Sequence, residues 1–585
     1  MVTQLLPVRV NRTVASQTIA DADSNAAISR GERGLIAAFF TMTLFWRVVY
    51  VFRYRFNSDE PQHLHVAWGW TRGLLQYRDV FDNHTPLFHL LFAPLVGVLG
   101  ERPDVLLWMR LAMIPLAVLS LWATYRIGLK LFSRRTGLWA AVFTGLLPGF
   151  FIYTVQFRTD VLWATLWLLA LDVLLQGPPT SSRSFFGGLL LGAALSVSMK
   201  TILLLAALGV ALLSTRALAP NVRRDTRDPG PGRLAAAALA GFVLVPLGLA
   251  LFFAVQDAGA AFFYGAVVHN LVSGLGSRPA NSGRVLLLVF MLPPLGWAAR
   301  TIAHRAPDPA IGARRAVVFL AAGLYFLAVH TFWPVFSAQD HLPFYPLLVV
   351  LLTPSFLAVA GVRKAQEGRT GPARPWLDAA APAAVAVAEL VFLLAAVPVW
   401  RDGTRDEVGL LTDVLRLTRA EDPVLDLKGE TVFRSRPFYY ALESVTQARL
   451  RQGLIVDDIP ERLIATRTCV TIADVGLFPV RGRAFLEENY LPVGRLRVAG
   501  RLLASHIDGT GPIAFEIEIP ARYSMISDAG AAAGGLDGRP YEGARFLDRG
   551  HHEFRPSAGT GRLAVVWAQA VERGYLPFPV QKRSL

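Results

Sequence analysis

Two adjacent carboxylates, Asp59 and Glu60, follow directly on a membrane-length apolar run from Gly34 to Phe52. Carboxylates beside a bilayer are costly to desolvate, and a membrane protein seldom keeps them there without a use. Such a group can take a proton from an attacking hydroxyl or hold a divalent cation. A second acid, Asp160, opens a later apolar run and stands two residues after Arg158 in QFRTDVLWATLW. Lys200 closes the next run, in SVSMK. Arginine offers phosphate a planar fork of donors, and lysine offers a point charge. Acids that can activate an acceptor, set beside cations that can take up charge on a phosphate leaving group, suit glycosyl transfer from a lipid-linked phosphate sugar.

A further polar stretch, QYRDVFDNHTPLFHLLFAPL, carries Tyr77, Asp79, Asp82, Asn83 and His84 into a proline-led apolar helix. Asp79, Asp82 and His84 could help hold a phosphate or a cation, or could brace the loop by hydrogen bonds. His63 and His65 are spaced i, i+2, which does not bring them together on a helix, so they are not read as metal ligands.

The elements that must position these residues are membrane helices. The chain has 585 residues, is 53% hydrophobic and only 17% charged, with a mean hydropathy of +0.41. Apolar runs long enough to cross about 30 Å of hydrocarbon recur along the first 400 or so positions. Spans are expected near 34–52, 106–131, 137–155, 160–175, 185–200, 201–216, 234–255, 284–303, 315–334, 342–361 and 379–400, about eleven in all. The stretch 86–100 is short and follows Pro86, and reads as an interfacial or re-entrant helix.

Basic residues set the orientation. Arg9, Arg12, Arg30 and Arg33 precede the first span, and Lys130, Arg134 and Arg135 follow the second. Further clusters fill the loops at 216–233, 300–315 and 363–374. All of these fall on one side if the N-terminus is cytoplasmic, as the positive-inside rule requires. Asp59, Asp160 and the C-terminal tail then fall on the extracytoplasmic side. The net charge of +15 is mostly this loop arginine, facing membrane lipid headgroups, and no nucleic-acid motif accompanies it. The single cysteine, Cys469, excludes an internal disulfide and a cysteine-based zinc site. The first span is expected to act as an uncleaved signal anchor.

Three regions follow: a cytoplasmic tail, 1–33; a transmembrane domain, 34–400, whose first outside loop, 53–105, carries the acids; and a soluble extracytoplasmic domain, 401–585. In the last, DEVGLLTDVLRLTRA is helix-like, VLDL and CVTIADV read as strands with RLIAT between, and AFEIEIPARYSMI, ARFLDRGHHEFRP and RLAVVWAQA alternate as strands do. An α/β or α+β fold is expected there, with AGAAAGGLDG as a loop. DTRDPGPGR and EGRTGPARP read as cytoplasmic linkers.

From Asp59 to about residue 200 the chain resembles the GT-C membrane glycosyltransferases that use polyprenyl-phosphate sugars. These include the protein O-mannosyltransferases, the aminoarabinose transferases of lipid A and the galacturonosyltransferases of lipopolysaccharide core. The resemblance rests on the acidic pair after the first span, on YRDVFDNHTPL, on Arg110-Leu111, on Asp160, on Lys200 in SMKT, and on QDHLPFYPLL around His341 and Tyr345. It implies a polytopic helical bundle with interfacial helices. It implies Asp59 as the catalytic carboxylate, supported by Asp160, with the donor phosphate held by Arg158, Lys200 and His84. Glu60, Tyr77, Asp79, Asp82, His341 and Tyr345 would support the substrates. His84-Thr85 stands where lysine-proline is usual, and Asn83 replaces the usual histidine or acid. The implied partners are a polyprenyl-phosphate sugar and an envelope lipid, glycan or protein hydroxyl; metal use is left undecided, because members of this superfamily differ and the loop acids permit a divalent cation or none.

A transporter or flippase of lipid-linked sugars is the alternative. Eleven or so spans suit that class, but it calls for charges near the bilayer midplane, and these acids lie at one face.

Overall fold

The computed structural model describes residues 28–218, 230–275, 282–303, 306, 308–366, 375–504, 511–528, 530–557 and 562–578. The expectations for the N-terminal tail and for most of the two linkers lie outside these residues.

The chain is helical up to residue 396. The first turn of α1 (Arg30–Arg53) is capped by Ser29 Oγ, which accepts from the Glu32 N–H. Then come α2 (Asp59–Thr71), α3 (Leu87–Leu99), α4 (Val105–Leu111), α5 (Ile114–Leu131), α6 (Arg134–Leu146), α7 (Pro148–Tyr153), α8 (Thr159–Leu174), α9 (Ser181–Leu195) and α10 (Thr201–Leu218). After the linker follow α11 (Pro231–Val255), α12 (Gly259–Phe263), α13 (Ser282–Ala303), α14 (Pro309–Phe332), α15 (Tyr345–Gln366) and α16 (Pro375–Ala396).

Six helical stretches among the described residues are long and apolar enough to cross a membrane: Arg30–Arg53, Val105–Leu131, Pro231–Val255, Gly283–Ile302, Pro309–Phe332 and Ala379–Ala396. The run expected at 137–155 is divided into α6 and α7 at Pro148, which has no N–H to continue the ladder. Phe45, Leu251, Phe290, Leu327 and Phe392 are exposed on these helices, as lipid allows and water discourages. Helices also approach closely. A Cβ at Gly188 or Gly192 of α9 would stand 2.0 Å from the carbonyl oxygen of Ala238 or Phe242 of α11, so only glycine permits this seam.

Beyond α17 (Arg405–Leu417) sheet takes over. The strands are β1 (Val424–Leu425), β2 (Val470–Ile472), β3 (Tyr490–Val493), β4 (Leu496–Ala504), β5 (Ile513–Ile517), β6 (Ala521–Ser527), β7 (Gly530–Ala531), β8 (Gly534–Leu536), β9 (Arg539–Pro540), β10 (Arg545–Leu547), β11 (Gly550–Pro556) and β12 (Leu563–Trp567). One sheet runs β1-β2-β4-β12-β6-β10, with β3 also on β4 and β7 also on β6; the other runs β5-β11-β8-β9. Among the pairings of these strands in the described residues, only β1–β2 is parallel. Every residue of β12, in the middle of the larger sheet, is buried. RLIAT falls in a short helix, Ile459–Ala465. The stretch expected as a loop, AGAAAGGLDG, instead supplies β7 and β8. Glycine and alanine give no side-chain alternation to read, yet their backbone groups still pair.

Candidate active site

The site forms where α1 ends and α2 begins. Asn57 Oδ1 accepts from the Asp59 N–H at 3.1 Å, an Asx turn that sets the first turn of α2. The next residue, Glu60, points inward and is fully buried. Its carboxylate takes Arg110 Nε at 2.7 Å and Nη2 at 2.5 Å, and also the Phe157 N–H at 2.9 Å. Arg110 spends its other donors on the carbonyls of Tyr54 at 2.6 Å and Arg55 at 2.9 Å. This buried, fully bonded pair ties the end of α1, α4 and the approach to α8 into one unit. Glu60 is thus a fastener that holds Asp59 and Asp160 near each other.

The two aspartates share one guanidinium. Arg158 Nη1 lies 2.6 Å from Asp59 Oδ2, and its Nε lies 3.1 Å from Asp160 Oδ2. Asn57 Oδ1 also accepts from Arg158 Nη1 at 2.6 Å. Lys200 Nζ stands 3.4 Å from Asp160 Oδ1 and pairs with Asp340. Lys428, from the sheet region, reaches Asp59 Oδ1 at 2.9 Å. Three carboxylates and three fixed cations therefore interleave. The Asp59 side chain keeps 27% of its exposure and that of Asp160 only 3%, so of the two only Asp59 is open to an incoming hydroxyl. Burial pushes the Asp59 carboxyl up, but Arg158 and Lys428 outweigh it and hold it well below the ordinary carboxylate range.

The second polar stretch builds a histidine group. Asp82, fully buried, accepts from Gln76 Nε2 at 2.8 Å, from Gln62 Nε2 at 3.3 Å and from its neighbour's Asn83 N–H at 2.9 Å. His84 Nδ1 lies 2.9 Å from the same carboxylate. His63 packs edge-on against His84 with ring centroids 4.7 Å apart, and its Nδ1 lies 3.0 Å from His89 Nε2. Burial works against a charged His84, but Asp82, with Asp59 and Asp160 farther off, holds it above the ordinary histidine range. Its ring therefore holds a proton more readily than a free imidazole, on the side that faces the acids.

Other expected residues are placed differently. Tyr77, with a left-handed φ of 71°, spends its hydroxyl on the His84 carbonyl at 2.5 Å. Asp79 accepts from the Leu75 N–H and pairs with Arg78, which closes the same turn. His341 and Tyr345 bond each other at 3.2 Å, and His341 meets His330 at 3.3 Å. None of these four bonds to Asp59, Arg158 or Asp160. Among the described residues no group of three His, Cys, Asp or Glu side chains is placed to hold a metal ion; the acids face cations instead.

Sequence reasoning passed over Asp340, Arg110 as a partner for Glu60, and Lys428. Asp340 directly precedes His341 and could have been flagged there. Lys428 is a lone lysine far along the chain from Asp59, and only the tertiary fold brings it in.

Comparison with known proteins decides the architecture. The crystal structure of ArnT from Cupriavidus metallidurans in the apo state superposes with a TM-score of 0.56 at 15% identity, over 80% of this chain and 98% of that one. The chain has the GT-C fold. The same ArnT bound to undecaprenyl phosphate gives a TM-score of 0.54 at 16% identity, with the same coverage. At this identity the likeness is one of fold. Residues 83–247 of the GT-C bundle match the family model for dolichyl-phosphate-mannose-protein mannosyltransferase, so the resemblance drawn from the motifs holds. No curated protein matches the chain by sequence.

Proposed function

We propose that this chain is an integral-membrane glycosyltransferase. It moves a sugar from a polyprenyl-phosphate donor to a hydroxyl of an envelope lipid, glycan or protein. One observation carries this reading: Arg158 bridges an open aspartate, Asp59, and a buried one, Asp160, with Lys200 alongside. The ArnT crystallised with undecaprenyl phosphate shares the fold and lends support.

The polyprenyl chain lies in the bilayer and presents its phosphate to the cations. The acceptor hydroxyl attacks the anomeric carbon from the face opposite the phosphate. As the new C–O bond forms, the Asp59 carboxylate takes the hydroxyl proton. The anomeric C–O bond to phosphate breaks, and its electron pair leaves with the polyprenyl phosphate. Arg158, Lys200 and His84 take up that developing charge. A single displacement of this kind inverts the anomeric centre. Asp160 fixes Arg158 and Lys200 in place, as their shared contacts suggest. In this reading the chain crosses the membrane about eleven times, its N-terminus is cytoplasmic, and residues 401–585 are extracytoplasmic.

Purified protein in liposomes, given a radiolabelled polyprenyl-phosphate sugar and envelope acceptors, should form a new glycosidic bond. Asp59→Asn should abolish transfer while the protein still inserts. Full transfer by that variant would remove Asp59 from the chemistry, and movement of the donor with no new bond would favour a transporter.

A further inference from the structure

The turn that carries Lys428 is built to be rigid. Asp426, fully buried at the end of β1, accepts from the Gly429 N–H at 3.0 Å, the Thr431 N–H at 2.9 Å and the Thr431 hydroxyl at 2.8 Å. Arg436 Nε lies 2.7 Å from the same carboxylate. The turn is also seated on α2. Gly429 has a φ of 111°, and a Cβ there would stand 2.8 Å from His65 Cβ and 3.2 Å from the Pro61 carbonyl oxygen. His65 Nδ1 meets the Val432 carbonyl at 2.7 Å. This backbone fixes where the lysine starts, while its long side chain keeps rotamer freedom.

Lys428 Nζ lies 2.9 Å from Asp59 Oδ1 and 3.1 Å from Ser58 Oγ. With Arg158 on Oδ2, both oxygens of Asp59 are held by cations. A carboxylate engaged on both sides is a poor proton acceptor. The three fixed cations differ in their commitments. Arg158 serves Asp59 and Asp160, and Lys200 serves Asp160 and Asp340. Among the described residues Lys428 is paired with one carboxylate only, so it is the cation most easily turned toward a new anion.

We propose that Lys428 is a donor-phosphate ligand supplied by the soluble domain, and that its transfer from Asp59 Oδ1 to the phosphate frees that oxygen to take the acceptor's proton. The ammonium stays protonated throughout; one ion pair is exchanged for another. Donor binding is thereby coupled to arming of the base. This inference rests on the donor reading above and adds to it a residue from outside the membrane bundle.

The test is binding of undecaprenyl phosphate to the full chain in nanodiscs. Lys428→Met should weaken binding by about tenfold or more, as loss of a charge-assisted contact predicts, and Lys428→Arg should restore most of it. Asp59→Asn should tighten binding by about threefold or more, because it releases the lysine; a folding defect could not do that. Unchanged binding in Lys428→Met, with tight binding by wild type, would overturn the role of Lys428 and leave the donor reading standing. No binding by wild type would overturn both. If inorganic phosphate alone binds as well as undecaprenyl phosphate, the site belongs to a soluble anion and the link to the donor fails.

Discussion

At the scale of single residues, neighbours in the sequence have been given opposite tasks. Asp59 faces the open side of the site, whereas Glu60 is sealed against Arg110. Removing one partner of a buried ion pair leaves an uncompensated charge, at a cost of about 3–5 kcal/mol. Glu60→Gln should therefore lower the thermal unfolding temperature in detergent and reduce the yield of folded protein, while the molecules that fold keep their kcat. A stable Glu60→Gln protein with lost turnover would instead make Glu60 part of the chemistry. His84 calls for a pH experiment. Its ring is held above the ordinary histidine pKa of about 6.5. The stabilisation from its pairing with Asp82 is complete below that value and lost as pH rises through the raised one. Its charge toward a phosphate follows the same course. KM for the donor should climb along that alkaline limb in wild type and stay flat there in His84→Gln.

At the scale of elements, what could be read from sequence was what local pattern encodes. Asp59, Arg158, Asp160 and Lys200 were found because each stands at the edge of an apolar run, where charge is conspicuous. The helices near 234–255, 284–303 and 379–400 were visible for the same reason. The division at Pro148 lay inside a continuous apolar run, so hydropathy passed over it. The Glu60–Arg110 fastener was hidden because a buried ion pair and a solvated loop acid read alike in one dimension. Lys428 was hidden more deeply. Its approach to Asp59 depends on the turn after β1, and the placing of β1 depends on pairing with β2, itself assembled from residues much later in the chain. No periodicity reports a contact of that kind.

At the scale of the molecule, the two parts of the chain meet over α2, and the proposed topology can be tested there. Cys469 is buried and its thiol is pushed up by that burial, so it should resist labelling. In a Cys469→Ser background, Leu454→Cys should react with a membrane-impermeant maleimide on intact cells, since Leu454 is exposed in the sheet-bearing part. Arg134→Cys, at the start of α6, should react only after permeabilisation. The reverse pattern would invert the molecule in the membrane and place Asp59 on the cytoplasmic side.

The seat of Gly429 on α2 has a bearing on engineering. The membrane bundle cannot be treated as a self-sufficient cassette. A chimera carrying a foreign tail would have to reproduce a side-chain-free turn at that point, with a lysine or arginine immediately before it. Otherwise the graft would either ride clear of α2 or leave the site without that cation, and on the proposed reading a change of tail meant to alter acceptor choice would weaken donor capture before any preference could change.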